Sequence, residues 1–388
     1  MNLRWQQKAS VEFKDITEFI PSVTWSGSVG QASRQLEVSV LYSPLDKNIP
    51  DINIKLGDRL LLYEENNLLI NAMVYTRERV SEQGTVTYIG YDDLKRLCDS
   101  QGVYSFKNTT PEKITKAVCS DLSISTGNIV ETKVPITKLI IDSEESFYKI
   151  IMKAYTKAYK SNGKKYMPIM VNRKLSMIEK GEIIEDFTLN DEVNITGSSY
   201  SESLDSMINK VKIYDEKGKQ IGEVKNAGQI TDYGIFQGTY TKEAGVNSTT
   251  AATNLLNGIS QEASIEALGN VQCISGFGIR IKDSLTGLTG RFWIDADSHT
   301  WQDGIYTMSL DLAFKNLMDT EEDTEEASKK KSKKKSSKAA DGKAIVYITA
   351  ASAKFHSYKT CSGMIETVEV TKNDAIKRGK GQCSKCWV

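Results

Sequence analysis

The chain has 388 residues, 39% of them hydrophobic and 26% charged, with 50 Lys and Arg set against 50 Asp and Glu. That length allows two to four domains, and the balanced charge excludes a body that grips nucleic acid or a membrane surface by bulk charge. No apolar run approaches the ~18 residues of a membrane-spanning helix, and the N-terminus MNLRWQQKASVEF has no apolar stretch of the secretory kind, so synthesis and folding in the cytoplasm are expected.

Pro is scarce, and Thr and Tyr recur in alternating runs, which favours β structure. Residues 1–95 read as short strands joined by tight turns, the pattern of a small barrel or sandwich. Leu36, Val38 and Val40 alternate with polar neighbours, and apolar runs at 60–63 and 68–75 flank a turn at 64–67. Residues 96–163 change period. Thr109 or Thr110 can cap a helix that carries Pro111 in its first turn, with Ile114, Ala117, Val118 and Leu122 on one face. A second helix is expected to start near Ser143, bury Phe147, Ile150, Ile151, Ala154, Tyr155 and Ala158, and stop at Asn162-Gly163. This predicts a small helical module inserted between β regions.

Residues 164–316 return to β structure, with hairpins turning at 172–174 and 215–218 and a helix expected over 248–267. The stretch 291–314 predicts a closing hairpin about Gln302-Asp303-Gly304. Beyond that turn Tyr306, Met308, Leu310, Leu312 and Phe314 face one way, while Thr307, Ser309, Asp311 and Ala313 face the other. Asp295, Asp297 and His299, spaced i, i+2 and i+4, would share one face of a strand as a metal-binding set. The plainer alternative is a solvated strand edge, since no fourth ligand stands nearby.

Residues 317–343 read as a charged linker. Six acids fall within 319–326 and seven lysines within 329–338, with too little apolar surface to offset the entropy of ordering. The Lys run is a candidate nucleic-acid tail, but the adjacent acids compete for it, which favours a solvated tether. Of the six cysteines, Cys98, Cys119 and Cys273 are scattered and are expected to be small buried apolar residues. Cys361, Cys383 and Cys386 crowd the C-terminus with His356. In the module 344–388, His356, Cys361 and the Cys383-x-x-Cys386 knuckle form a predicted zinc set, with iron as the lesser alternative. A disulfide or free thiols would be the other readings. The module is similar to small Cys/His modules at the C-termini of some bacterial nucleases and surface proteins.

Four stretches carry a family resemblance: Tyr91-Asp92-Asp93-Leu94-Lys95-Arg96-Leu97; Tyr104-Ser105-Phe106-Lys107-Asn108 running into 111–119; 147–155 with Gly163-Lys164-Lys165-Tyr166; and Asp297-Ser298-His299-Thr300 with 304–314. In order and spacing they resemble the baseplate hub proteins of contractile phage tails. The nearest branch is that of Gram-positive phages, defective prophages and phage-tail-like bacteriocins such as the diffocins; the late control gene D proteins are more distantly similar. The resemblance covers about 1–316. It implies a mainly β (α+β) fold with two tube-like β-barrels, at 1–95 and within 164–316, and the helical module at 96–163 beside them. It also implies a non-enzymatic homotrimer that joins the hexameric tail tube to the trimeric spike or tip and the baseplate wedge. Such a protein is assembled in the bacterial cytoplasm and released with the particle. Two other classes stand against it: a tail-associated cell-wall hydrolase, for which no local Cys-His signature exists, and a zinc-bearing nucleic-acid binder built on the Lys run.

Overall fold

The computed structural model describes every residue except 9, 44, 47, 81–83, 244–245, 322–344, 349–353, 357–367, 372–374, 376–377, 379 and 383–388. The chain divides into two compact units, one of Met1–Ile208 with Asn257–Asp323 and one of Asn209–Leu256 with Thr324–Val388.

The first unit is organised on a 13-stranded sheet. Its path runs Ile195–Ser203, Ser260–Leu268, Ile305–Ala313, Thr289–Gln302, Ser22–Ser28, Gln31–Leu41, Thr85–Tyr91, Asn67–Arg79, Arg59–Glu64, Asn2–Gln6 and Phe13–Asp15, with Gly278–Lys282 and Ile183–Asn190 branching from Thr289–Gln302. All pairs are antiparallel except the one between Ile183–Asn190 and Gly278–Lys282. The mainly β class with a helical insert is therefore as expected. The path has two ends, and no strand pair among the described residues closes it into a barrel.

Period-two alternation builds both sides. Leu36, Val38 and Val40 are buried in one apolar cluster with Leu3, Val23, Trp25 and Leu62. Ala263, Ile265, Leu310 and Leu312 are buried in another. Burying a side chain of this size contributes about 1.5–3 kcal/mol. The expected helix over 248–267 is corrected here. Only Ser248–Thr253 is helical, and Ser260–Leu268 is a strand, because Ala263, Ile265 and Ala267 repeat every second residue and so bury on a sheet rather than around a helix. Asp303 and Gly304 have φ of 52° and 77°, as a two-residue hairpin turn between Gln302 and Ile305 requires.

A third cluster runs from Leu94 to Met177. Helix Pro111–Asp121 lies where the sequence places it, and helix Phe147–Asn162 ends where expected but starts at Phe147 rather than near Ser143, because 143–146 belong to the strand Ile136–Ser146. The second is capped by Ser146, whose side chain accepts from Lys149 N–H, and ends at Gly163 with φ of 74°. On the first, Ala117 is exposed and Thr115 and Cys119 are buried instead. The module is less helical than its period implied: Gln101–Thr109 pairs with Ile136–Ser146, and the hairpin Tyr166–Val171/Lys174–Glu179 adds Thr126–Ile129. Tyr166, Leu175 and Met177 bury on these helices, so this core continues past 163.

The start of the predicted linker is also corrected. Residues 316–321 are held against the first unit. Asn316 Nδ2 donates to Lys180 O at 3.0 Å, Lys180 Nζ donates to Leu317 O, Tyr148 OH donates to Asp319 at 2.7 Å, and Glu321 N–H donates to Thr156 Oγ1 at 3.0 Å. The acids there are tied down one by one, which composition does not reveal. Residues 322–343 lie outside the described residues.

In the second unit, Lys210–Tyr214 pairs with Gln220–Lys225 and Gln237–Thr241. Its helices Ala227–Tyr233 and Ser248–Thr253 start at Asn226 and Asn247, whose side chains accept the first free N–H groups. The same unit contains four short strands between 345 and 382.

Candidate functional site

The strand Thr289–Gln302 pairs with Ile305–Ala313 along one edge and, through Ala296–Gln302, with Ser22–Ser28 along the other. It is the element that joins the N-terminal half of the sheet to the C-terminal half. A β-bulge between Ile294 and Ala296 makes this possible. Before the bulge Phe292 and Ile294 bury in the C-terminal cluster. After it Asp297, His299 and Trp301 are the buried residues, and Trp301 belongs to the N-terminal cluster.

The bulge also takes apart the candidate metal set. Asp295 is exposed, whereas Asp297 and His299 are buried. The alternative of a solvated edge fails as well, because these two residues form a closed polar cluster at the junction. Asp297, with a side chain 0% exposed, accepts from Arg34 Nη1 at 3.0 Å, from Arg34 Nη2, and from Ser275 N–H at 2.6 Å. Burial alone would push the Asp297 carboxyl up. The Arg34 charge and the hydrogen bonds from His299 and Arg34 outweigh it and hold the group well below the usual carboxylate range.

His299 Nε2 lies 3.1 Å from Cys273 O and 3.3 Å from the Asp297 carboxylate. A carbonyl only accepts, so Nε2 carries a proton, and in the neutral ring Nδ1 accepts from Tyr306 OH at 2.9 Å. Burial pushes the Cys273 thiol up to about 12 and raises Tyr306, so both stay protonated. The Arg34 guanidinium stacks 4.0 Å over the Trp25 ring, and Trp25 sits 5.1 Å from the His299 ring. Gly27 stands opposite Asp297 in the sheet, and a Cβ there would come 2.5 Å from Arg34 Nη1. A side chain at 27 would have to push the guanidinium aside from its path to Asp297.

Arg34 has a second anchor. Its backbone N–H donates to Asp92 at 3.2 Å, and Asp92 also accepts from Leu94 N–H at 3.0 Å at the start of helix Leu94–Asp99. Burial pushes the Asp92 carboxyl up to about 7 despite these hydrogen bonds. The neighbouring Asp93, half-buried, pairs with Arg59 at 2.8 Å. Sequence reasoning missed Arg34, Gly27 and Asp92 as members of one cluster. The signal available was the pair of polar residues Asp297 and His299, spaced like the buried positions of a strand whose other buried residues, Phe292, Ile294 and Trp301, are apolar.

The predicted zinc residues are only partly described. His356 is buried, and burial and then Lys354 lower its imidazole from the usual value. Cys361, Cys383 and Cys386 lie outside the described residues. Among the described residues no group of three or more His, Cys, Asp or Glu is placed to hold a metal ion.

The YQBQ-like family model matches residues 23–313. The chain belongs to the YQBQ-like family. The match begins in Ser22–Ser28 and ends in Ile305–Ala313, so it takes in both sides of the junction and stops before the charged stretch. Among curated relatives, the chain is 27% identical over 306 residues to the phage-like element PBSX protein XkdQ of Bacillus subtilis (strain 168), covering 76% of this chain and 93% of that protein. YqbQ of the same strain is 27% identical over 304 residues, covering 76% and 92%. Among solved structures, the 43 kDa tail protein of prophage MuSo2 from Shewanella oneidensis superposes with a TM-score of 0.60 at 14% identity, covering 81% of this chain and 98% of that one. A tail protein from Neisseria meningitidis MC58 gives 0.54 at 12%, covering 80% and 96%. The fold is that of these tail proteins.

Proposed function

We propose that this chain is the baseplate hub of a contractile phage tail or of a tail-like bacteriocin of the diffocin kind, and that its role is structural. The observation that carries the reading is the junction. One subunit holds two β halves, drawn from the two ends of the family region and fused through Thr289–Gln302. A homotrimer of such subunits offers six halves, which matches a hexameric tail tube above and leaves threefold symmetry for a spike or tip below. Membership of the YQBQ-like family, a relative that belongs to a phage-like element, and the tail-protein fold all support it. The two halves take the part of the tube-like barrels, with closure supplied by neighbouring subunits and the tube.

The work of such a protein is mechanical. It has to keep its two halves in one rigid arrangement while sheath contraction loads the tail, and the Arg34–Asp297 cluster welds them where they meet. Interfaces of thousands of Å² with the tube and the baseplate wedge would supply the holding force. His299 supports a non-catalytic reading. Its side chain is buried and both ring nitrogens are hydrogen bonded, so it offers no free base to a Cys-His hydrolase. The particle would be assembled in the bacterial cytoplasm and released by the cell. Gold-labelled antibody against residues 1–316 should mark one end of purified tails, and cells lacking the chain should make no complete tail. Labelling along the whole tube, or normal tails without the chain, would overturn the proposal.

A further inference from the structure

Charge is not spread evenly along this chain. Residues 94–180, the helical module with its strands, carry 16 Lys and Arg against 8 Asp and Glu, whereas 1–93 and 181–316, which hold the large sheet, carry 19 against 32. The zero net charge of the whole therefore conceals a basic part and an acidic one. Lysines gather at one end of the module. Thr132 N–H donates to Glu112 Oε1 at 2.5 Å, Asn162 Nδ2 donates to Thr132 O at 3.2 Å, and Lys164 N–H donates to Asn162 Oδ1 at 2.9 Å. These bonds bring the start of helix Pro111–Asp121, the loop before Ile136–Ser146 and the end of helix Phe147–Asn162 to one place. Lys113, Lys133 and Lys165 flank the bonded residues in sequence. Lys107 stands directly opposite Lys138, two residues along from the Thr109/Ile136 pair at the same end, and like charges so placed cost a sheet stability. Lys133 has φ of 57°, in the left-handed region that lysine rarely adopts. Lys164 answers Glu179 at 2.8 Å, whereas Lys107, Lys113 and Lys133 are exposed and make no ion pair among the described residues.

A complementary surface lies on the sheet. Strand Ile183–Asn190 pairs only with Gly278–Lys282 among the described residues, which leaves it an open edge. From 182 to 192 there are five acids and no Lys or Arg. Glu185 pairs with Arg280, and Asp191 accepts from Ser284 N–H at 2.8 Å. Glu182, Asp186 and Glu192 are exposed and make no ion pair among the described residues. We propose that the lysine end of one copy docks on this acidic edge of the next copy, and that the contact closes the ring of subunits. It rests on the homotrimer reading above. The two surfaces are different parts of one chain, so the contact is heterologous, and repeated head to tail it closes a ring. Opposite charge steers the copies together and fixes which face meets which. A nucleic acid is the lesser fit. Fourteen of the sixteen cations in the module are Lys rather than the planar, bidentate Arg that suits phosphate, and the chain itself supplies the matching acids.

The test reverses each surface in the full-length chain, in cells that make the particle. Lys107→Glu/Lys113→Glu/Lys133→Glu turns the basic end acidic, and Glu182→Lys/Asp186→Lys/Glu192→Lys turns the edge basic. Each triple variant sets like charges face to face and should cut the yield of complete tails at least about tenfold. The chain with all six substitutions restores opposite charges at every contact and should recover most of that loss. All six side chains are exposed, so each purified variant should melt within about 2 °C of the parent. Parent-like tails from either triple variant, or no recovery with all six, would overturn the proposal. So would triple variants that melt lower and are restored by all six together, since that places the contact within one copy. A purified parent chain that holds a short DNA duplex at physiological salt through these lysines would overturn it in favour of a nucleic acid. Normal tails in cells lacking the chain would sink the hub reading, and this contact with it.

Discussion

Replacing Arg34 with Ala is the sharpest perturbation of the junction. Asp297 is fully buried and holds its charge against two guanidinium hydrogen bonds and one backbone N–H. Without Arg34 it keeps Ser275 N–H and the His299 ring as neighbours, and a buried carboxylate is left without a countercharge. Breaking a buried pair in this way costs about 3–5 kcal/mol, which for a unit of this size lowers the melting temperature by roughly 6–20 °C. Thermal unfolding of the full chain, followed by circular dichroism, reads it. The Arg34→Met/Asp297→Leu variant removes both charges and should return to within about 2 kcal/mol of the parent. Gly27→Ala, which pushes a methyl into Arg34 Nη1, should cost about 1–3 kcal/mol. The sign with pH follows from the folded Asp297 carboxyl lying below its unfolded value. Its stabilisation is present above about pH 4 and is lost as pH falls. If Arg34→Ala melts within about 1 kcal/mol of the parent at pH 7, the pair does not weld the halves and the reasoning fails.

Asp92 has the opposite sign. Its folded carboxyl is pushed up to about 7 from 3.8, so the folded state binds the extra proton between those values and stability falls as pH rises through that window. Asp92→Asn should remove that component, and a pH profile of unfolding identical to the parent's would contradict it. Ending the chain after residue 321 should leave the first unit's melting unchanged, whereas ending it after 314 removes the bonds to Lys180, Tyr148 and Thr156 and should cost about 2–5 kcal/mol. Equal melting of the two truncations would show that 316–321 contributes nothing. Limited proteolysis of the full chain should cut first within 322–343, and first cleavage inside 1–321 would move the boundary.

Much of this fold is readable because local patterns agree with the tertiary result. The alternation at Tyr306–Phe314, the Asp303-Gly304 turn and the stop at Asn162-Gly163 each act over a few residues and need no partner. The bulge at Ile294/Ala296 is different. It is set by what lies across the sheet, and it reverses the side of every residue after it, so a strict period of two places Asp295 with Asp297 when the structure separates them. Arg34, Gly27 and Asp92 are far from Asp297 in sequence, and only the pairing of Ser22–Ser28 with Thr289–Gln302 brings them together. The linker expected from 317 failed for a related reason: the hydrogen bonds of Asp319 and its neighbours, not composition, decided its start. The helix expected over 248–267 failed for another, since the period-two repeat of Ala263, Ile265 and Ala267 was present in the sequence and marks a strand.

The central claim is that one chain supplies two halves of a sixfold ring. Electron cryomicroscopy of purified particles, reconstructed around the tail end without imposed symmetry, tests it most directly. The account predicts three copies of this chain in a single ring beneath the tube, each with the strand Thr289–Gln302 at the seam between two adjacent tube subunits. Six copies in that ring, or density for the chain elsewhere in the particle, would contradict it.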